Sequence, residues 1–280
     1  APVQRHARPV LPAVVPVCRP CREPIASRHH VTDKLARPMN PCLLALDTST
    51  ERMALAVLAP SGRLLCRVDE GGARASERVL PQALQMLHEA GVAVTQVDAV
   101  AFGQGPGAFT GLRTACAVAQ GLALGRGCAV LPLDSLCLVA EDARPLLDPI
   151  DLQGTVWSAV DARMGEVYAA SYRCRHDSGG WLVVHAPALY SVAALADLWR
   201  REPPAVVVGD ACDVHAGALP VSGARCLTGG ADRAQALARM ALHAWHSGPR
   251  LAAHEAMPFY LRDKVALTTA ERALERARVG

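Results

Sequence analysis

The sequence predicts an α/β fold of two similar lobes, each built on a mixed β-sheet flanked by helices. Two observations lead to this prediction. From residue 42 onwards, three apolar strands are followed by alternating helices and strands, and a second group of three strands begins after the Pro-, Asp- and Gly-rich stretch at 145–154. A strand meander that continues into helix–strand alternation is typical of a mixed sheet covered by helices. The likeness of the two halves indicates an ancient duplication.

Residues 1–38 differ in composition from the rest of the chain. They contain seven prolines and have a net charge of +5, whereas residues 39–280 carry 22 basic and 24 acidic side chains, a net charge of −2. Because proline interrupts helices and strands alike, we expect a disordered leader or the product of a mis-set start, with Met39 as the natural first residue. The remainder lacks the basic excess with which nucleic-acid-binding proteins neutralise phosphate, so any direct contact with nucleic acid is expected to be minor.

The two lobes are expected to span residues 39–145 and 146–280. Short apolar runs bounded by turn residues predict the strands, and apolar residues spaced by three and four positions predict the helices. The predicted strands are 42–47, 53–59, 63–69, 97–102 and 128–131 in the first lobe, and 156–161, 167–172, 181–185 and 205–208 in the second. The predicted helices are 76–87, 110–124 and one from about 135, then 192–200 and 232–245.

A glycine-rich loop, GQGPG, begins at Gly103 and joins a strand to a helix. Gly103, Gly105 and Ala108 satisfy a lenient dinucleotide-binding pattern, but three strands and a helix precede the loop. Pro106 also lacks the N–H that would face a pyrophosphate. A phosphate-binding P-loop is excluded, because it requires a lysine and Lys264 is the only one after residue 38.

The helix that follows this loop has alanine or glycine at every second position from Ala115 to Ala123. A helix that covers one face of a sheet normally has a polar outer side. Small residues on several sides allow neighbours to approach closely. This helix is therefore either buried within its own lobe or contacts a partner with its outer face.

Two predicted hairpins carry acidic residues. Asp47, Thr48 and Ser49 form a turn that could hold phosphate or could be an ordinary polar turn, which the turn alone favours. Asp161 and Glu166 flank a Met-Gly turn and could act as a general acid and base. A solvated turn is the more common explanation for such a pair.

Histidines and cysteines offer few metal ligands. His243 and His246 are one helical turn apart, but neither an H-E-x-x-H motif nor an obvious acidic third ligand accompanies them. Cys18 and Cys21, which are followed by two histidines, fit no standard zinc finger. A G-x-S-x-G nucleophile motif is also missing. We therefore predict no metal site and no catalytic residue.

Composition also bears on location. Most of the ten cysteines lie in apolar segments, which is typical of buried free thiols in a reducing compartment. No apolar run approaches the roughly 20 residues that a membrane-spanning helix needs. We therefore expect a cytoplasmic protein without a membrane segment.

Four segments together resemble one protein family. They are LLALDTST from residue 43, GQGPGAFTGLRTACAVAQGLALG from 103, VDARMGEVY from 160 and PFYLRDKVA from 258. The same segments occur in this order in the TsaB family, also called YeaZ, of bacterial partner subunits in the synthesis of threonylcarbamoyladenosine on tRNA. GPGAFTGLR and DARMGEVY are specific to the family, whereas LDTST is shared with its relatives. The resemblance covers residues 41–266.

The resemblance implies an actin-like fold of the sugar-kinase and Hsp-type ATPase kind. It also implies a non-catalytic subunit without a cofactor, which binds a TsaD-type transferase through first-lobe helices. That complex forms N6-threonylcarbamoyladenosine at position 37 of tRNAs reading codons that start with A. ATP and metal are then expected on partner subunits, among them a TsaE-type ATPase, and tRNA is contacted at most indirectly. Alone, the chain is expected to form a homodimer through much the same surface.

Together with the small residues, the resemblance places the partner interface on the helices predicted at 76–87 and 110–124. The predicted contact residues are Leu80, Leu84, Leu87, Thr110, Leu112, Arg113, Cys116, Ala119 and Gln120. The residues predicted to position the second helix are Gly105, Pro106, Gly107 and Gly111. A small actin-fold ATPase or kinase stays the alternative, with Asp47, Thr48 and Ser49 and the loop Gly105–Gly107 holding the nucleotide.

Overall fold

The computed structural model describes residues 40–175 and 179–262. The predicted leader and its Cys18–Cys21 pattern lie outside the described residues. The first half contains β1 Leu43–Asp47, β2 Arg52–Leu58, β3 Leu64–Glu70, α1 Ala75–Glu89, β4 Ala99–Gly105, α2 Phe109–Arg126, β5 Ala129–Asp134, α3 Ser135–Ala143 and α4 Pro149–Gln153. The second half contains β6 Val156–Asp161, β7 Glu166–Cys174, β8 Trp181–Ser191, α5 Val192–Arg201, β9 Val206–Val208, α6 Ala211–Val214, β10 Arg225–Leu227 and α7 Arg233–Ser247.

The first sheet has the strand order β3-β2-β1-β4-β5. Its central strand β1 pairs antiparallel with β2 and parallel with β4, with Leu43 opposite Leu58 and Ala99. Every residue of β1 is buried, because both faces of the sheet are covered. A strand in that position needs an uninterrupted apolar run, which LLAL supplies.

The second sheet has the order β8-β7-β6-β9-β10, which repeats the first arrangement strand for strand. Here β6 takes the place of β1, antiparallel to β7 and parallel to β9. The prediction of two duplicated lobes, each with a mixed sheet flanked by helices, is confirmed. Short α4, α6 and β10 were not predicted, since segments of three to five residues leave little periodicity in a sequence.

Helices cover the two faces of the first sheet unequally. α1 and α2 pack on one face, where their buried residues join Leu44, Leu46 and Phe102 in one core cluster. α7 packs on the other face, which is rich in alanine, with Leu237 and Trp245 among its buried residues. Although α7 was assigned to the second lobe, it therefore returns to the first, because a face of small side chains lets a helix lie close to the strands.

The chain after α7 continues across the first lobe as residues 251–262, which we call the C-terminal strap. Leu251 exchanges two backbone hydrogen bonds of 2.9 Å with Val130 of β5. Further along, the Phe259 N–H donates to the carbonyl of Gln104 in the glycine loop at 2.7 Å. The strap thereby ties the glycine loop to the end of the described chain. Among the helices of residues 40–175 and 179–262, none is both long and apolar enough to span a membrane.

Candidate partner interface and interlobe cleft

The outer faces of the neighbouring helices α1 and α2 lie on one side of the first lobe, and together we call them the helix-pair face. On α1, Leu80 is 38% exposed and Leu84 is 40% exposed, although large apolar residues are normally buried. On α2, Ala117 and Gly121 are exposed and Leu124 is 76% exposed. Both helices cover the same face of the sheet, so these exposed residues lie on the same side of the first lobe.

Four of the nine predicted contact residues lie inside the subunit. Leu87, Leu112, Cys116 and Ala119 are at most 4% exposed and pack in the first lobe. They cannot supply contact area in this conformation, which corrects the choice of Leu112 as an anchor. The physical reason is the composition of α2: with small and apolar residues all round, its pattern does not distinguish the buried side from the exposed one.

The other contact residues on α2 divide between solvent and the strap. Thr110 and Arg113 are exposed, and the Arg113 Nε donates to the Tyr260 hydroxyl at 3.1 Å. The Gln120 amide donates to the carbonyl of Ala256 at 2.7 Å. Arg113 and Gln120 therefore hold the strap against α2, a role that the sequence did not reveal.

Glycines on α2 and its loop differ sharply in what surrounds them. A Cβ on Gly111 would lie 1.8 Å from the Thr48 carbonyl oxygen, and one on Gly107 would lie 2.6 Å from the Ser49 carbonyl oxygen. Gly105 has a left-handed φ of +121°. These close approaches support the predicted positioning role of the loop. At Gly121, by contrast, a Cβ would meet no atom of the described residues within 4 Å.

The hairpin between β1 and β2, residues 47–51, begins with three buried polar residues and ends with the exposed Glu51. Asp47 is 0% exposed, and its Oδ2 accepts hydrogen bonds from Arg233 Nε (3.0 Å), Arg233 Nη2 (2.9 Å) and Ser49 Oγ (3.1 Å). Thr48 Oγ1 donates to the Gly111 carbonyl at 2.6 Å. Among the described residues, Asp47 Oδ1 has no hydrogen-bond partner. The structure thus places a guanidinium beside the carboxylate that the alternative ATPase or kinase interpretation assigned to phosphate binding.

A cavity of about 640 Å³ lies between the two lobes beside this ion pair. Among the described residues, its charged lining consists of Arg52, Arg67 and Arg233, and of Glu51, Asp142, Asp210 and Asp232. The acidic groups outnumber the basic ones by one, which disfavours a triphosphate. Asp232 also caps the start of α7 through the N–H groups of Ala234 and Gln235, both at 3.0 Å. Burial raises the pKa of Asp142, and Arg233 opposes this rise.

The hairpin between β6 and β7, residues 161–166, occupies the equivalent position in the second lobe. Its two carboxylates have different partners: Asp161 Oδ1 lies 3.1 Å from His215 Nε2, and Glu166 accepts a hydrogen bond from Arg262 of the strap. Arg163 and Met164 at the tip have left-handed φ values of 65° and 58°. The carboxylates are thus held separately, which does not favour their use as an acid–base pair.

A second cavity, of about 440 Å³, lies between this hairpin, the glycine loop and the strap. Its walls include Phe109, Tyr168, Phe259 and Tyr260. The rings of Phe109 and Tyr260 are 5.1 Å apart. The strap therefore joins the glycine loop to the second lobe along an aromatic wall.

Ser171, His185 and Glu202 form a row that resembles a hydrolase triad. Ser171 Oγ lies 2.8 Å from His185 Nδ1, and His185 Nε2 lies 3.5 Å from Glu202. Ser171 is 0% exposed, and its Oγ also accepts a hydrogen bond from the backbone N–H of His185. A nucleophile must reach a substrate carbonyl, so this buried serine does not serve as one in this conformation.

Within residues 40–175 and 179–262, no group of three or more His, Cys, Asp or Glu side chains is arranged to hold a metal ion. His243 and His246 lie on α7, and the ring of His243 is close to Gly180. The two histidines are not joined by a third ligand among these residues.

Comparison with known proteins places this architecture. A family model described as "TsaD: tRNA N6-adenosine threonylcarbamoyltransferase" matches residues 72–207. The chain is 34% identical to YeaZ from Pseudomonas aeruginosa, with a TM-score of 0.69, and the match covers 79% of this chain and 100% of that one. The chain belongs to the TsaB/YeaZ family. The predicted resemblance is thereby confirmed, and with it the actin-like fold of the family.

Curated relatives carry the name "tRNA threonylcarbamoyladenosine biosynthesis protein TsaB". The protein from Haemophilus influenzae is 42% identical over 130 residues, which are 46% of this chain and 52% of that protein. The one from Escherichia coli is 36% identical over 139 residues, 50% of this chain and 58% of that protein. The chain thus matches about half the length of these relatives. Their names support a role in this tRNA modification.

Another solved structure from the family is described as an uncharacterized protein with similarity to peptidase YEAZ from Pseudomonas aeruginosa. In the present chain the described residues offer one triad-like row, and Ser171 within it is buried. This row therefore provides no accessible nucleophile for the peptidase activity that the description mentions.

Two features of the site were not foreseen from the sequence. Arg233 binds Asp47 across 186 positions of sequence, and the strap reaches α2 across more than 130. The only sequence signal for the first was an arginine directly after the helix cap Asp232. The strap left a stronger signal, because PFYLRDKVA was among the family segments.

Proposed function

We propose that this chain is a non-catalytic partner subunit that binds a TsaD-type transferase and supports formation of N6-threonylcarbamoyladenosine at position 37 of tRNAs reading codons that start with A. It acts in the cytoplasm, and ATP and metal are bound by the partner subunits, among them a TsaE-type ATPase. In the absence of the transferase the chain forms a homodimer. Contact of tRNA with this subunit is at most indirect.

The helix-pair face is the observation that carries this function. Leu80, Leu84 and Leu124 are exposed apolar side chains, and the small exposed residues Ala117 and Gly121 on α2 leave room for a second helix to approach its backbone. Exposed apolar side chains on two neighbouring helices favour a site of protein association. The exposed leucines supply anchors, and the small residues supply close packing.

The match to the transferase family model supports pairing through these helices. Residues 72–207 include both α1 and α2, so a TsaD-type protein has elements equivalent to this helix pair. Two related lobes can then associate through equivalent helices about an approximate two-fold axis, as isologous dimers do. The same geometry accounts for homodimerisation when the transferase is missing.

The interlobe cleft supports the proposal that this chain is not itself catalytic. Asp47 Oδ2 is occupied by Arg233 and Ser49, and the charged lining is acidic by one group. A small ATPase would need this carboxylate for metal or water and a cationic surface for the phosphates. Purified full-length chain is therefore expected to release no phosphate from Mg-ATP above a blank, and turnover by this chain would favour the ATPase alternative.

The decisive experiment replaces Gly121 with arginine. A Cβ at this position would meet no described atom within 4 Å, and any residue other than glycine or proline improves helix propensity. We therefore expect Gly121→Arg to fold normally and to bind the organism's TsaD-type protein at least 100-fold more weakly. Binding is measured with full-length proteins by size-exclusion chromatography with light scattering and by titration calorimetry.

A matched control places the same charge on an exposed helix outside the proposed interface. Ala194 on α5 is exposed, and Ala194→Arg is expected to bind like the unaltered chain. In cells whose resident TsaB is replaced by this chain, tRNA from the Ala194→Arg strain should contain the modified nucleoside, and tRNA from the Gly121→Arg strain should lack most of it. Undiminished binding by folded Gly121→Arg would exclude the helix-pair face as the interface.

A further inference from the structure

Two cysteines lie side by side at the edge of the second sheet. Cys226 is exposed on the edge strand β10, and Cys212 is half-buried on α6. Their Sγ atoms are 3.6 Å apart, and both are free thiols. A disulfide requires about 2.05 Å between the sulfurs, so they need to approach by about 1.5 Å through rotation of their side chains.

We propose that Cys212 and Cys226 form a modification site, which a peroxide converts into an intramolecular disulfide and which small-molecule thiols reduce again. The pairing sets these two apart from Cys66, which is exposed on β3 of the first sheet. An isolated thiol oxidised to a sulfenic acid has no neighbouring thiol to condense with, whereas Cys226 has one in contact.

Oxidation of the cysteine pair by hydrogen peroxide proceeds in two steps. The sulfur of Cys226, the more exposed residue, bonds to one oxygen of hydrogen peroxide while the O–O bond breaks, which yields a sulfenic acid and one water. The sulfur of Cys212 then bonds to the sulfur of Cys226, and the sulfenic oxygen leaves as a second water with the proton of Cys212. Two thiols and one hydrogen peroxide become one disulfide and two waters.

The environment of the pair agrees with this division of roles. Burial raises the pKa of the Cys212 thiol, and the adjacent Cys226 and Asp213 raise it further. Cys212 therefore stays protonated at neutral pH and is poorly suited to attack a peroxide by itself. It acts as the resolving thiol once its neighbour has been oxidised.

The disulfide would act on the supports of the second hairpin. Asp210 Oδ1 accepts a hydrogen bond from the Asp161 N–H at 2.8 Å, and His215 Nε2 lies 3.1 Å from Asp161 Oδ1. Cys212 lies between these two supports in the chain. A covalent link to β10 would therefore fix the segment that holds Asp161, and hydrogen exchange of the hairpin amides should slow.

The test oxidises the full-length chain with a small excess of hydrogen peroxide, blocks remaining thiols with iodoacetamide under denaturing conditions, and maps tryptic peptides by mass spectrometry. Trypsin cleaves after Arg225 and so separates the two cysteines into peptides 202–225 and 226–233. We expect these peptides to be joined, with the loss of two alkylatable thiols and their return after treatment with glutathione. Closing a loop of about 15 residues should also raise Tm by about 5 °C.

Three variants make the result specific. Cys212→Ser and Cys226→Ser should each abolish the joined peptides and the rise in Tm, whereas Cys66→Ser should leave both unchanged. Joined peptides between different chains, or alkylation of both cysteines after oxidation of the unaltered chain, would overturn the proposal. Hairpin exchange that is equal in the oxidised and reduced chain would overturn the effect on Asp161.

Discussion

The hairpins after β1 and β6 occupy equivalent positions in the two lobes, yet their surroundings are opposite. In the first hairpin Asp47, Thr48 and Ser49 are all at most 4% exposed. In the second, Met164 is 64% exposed and, like Arg163, has a left-handed backbone. The duplicated hairpin thus begins with buried residues that link several elements in the first lobe, whereas its tip is exposed to solvent in the second.

The difference follows from what each hairpin contacts. Arg233 and Gly111 hold the first one, so it links β1 to α7 and to α2. Asp161 in the second is held by His215 and Asp210 from its own lobe, and its tip borders the smaller cavity. Equivalent positions in a duplicated fold therefore need not share a function, because each hairpin contacts different residues from later segments of the chain.

The largest expected effect comes from removing the partner of the buried carboxylate. Arg233→Met keeps much of the side-chain volume but leaves Asp47 buried without its cation. Breaking a buried pair in this way typically costs about 3–5 kcal/mol, and we expect a loss of that size in the free energy of unfolding. Urea denaturation followed by circular dichroism measures it.

Arg200 provides the matched control for this substitution. It pairs with Asp197 on the exposed side of α5, and both side chains are more than half exposed. Arg200→Met should change stability by at most about 0.5 kcal/mol. Adding Asp47→Asn to Arg233→Met should recover at least half of the loss, since the unpaired charge is removed. Equal losses of stability for Arg233→Met and Arg200→Met would mean that the buried ion pair does not anchor the first hairpin.

Asp47 also marks the limit of prediction from sequence. The strand that ends there was predicted within one residue, because a continuous apolar run bounded by polar residues is a strong local signal. Its ion pair was not predicted. Arg233 is 186 positions away, and the sequence does not indicate which of many charged residues pairs with Asp47. The buried face of α2 escaped prediction for a different reason: Leu112 is buried and Leu124 exposed on a helix whose apolar residues follow no single stripe.

The next effect in size tests the contact of the first hairpin with α2. In Gly111→Ala the new methyl group would lie 1.8 Å from the Thr48 carbonyl oxygen, so the helix must move away from the hairpin. We expect the free energy of unfolding to fall by about 3 kcal/mol, at the upper end of the usual cost of overpacking. Chemical denaturation measures the loss, and an unchanged midpoint would show that α2 and the hairpin are not in firm contact.

Gly121 on the same helix should respond in the opposite direction. Its Cβ position is open, so Gly121→Ala adds helix propensity without a clash and should stabilise the isolated subunit by about 0.8 kcal/mol. The same denaturation experiment measures it. A loss of stability here would mean that the outer face of α2 already packs against the subunit, which would remove the room assigned to a partner helix.

The smallest effect concerns the open tip of the second hairpin. A left-handed backbone costs an ordinary L-residue about 1–2 kcal/mol, and asparagine tolerates this conformation better than methionine does. Because Met164 is mostly exposed, Met164→Asn loses little packing and should raise the free energy of unfolding by about 0.5–1 kcal/mol. Met257 on the strap is equally exposed and does not have a positive φ, so Met257→Asn should change stability by less than about 0.5 kcal/mol. Comparing the denaturant midpoints of the two variants separates the relief of backbone strain at residue 164 from the effect of losing a methionine side chain. A destabilised Met164→Asn would instead mean that the tip is anchored in the neighbouring cavity as firmly as Asp47 is anchored by Arg233.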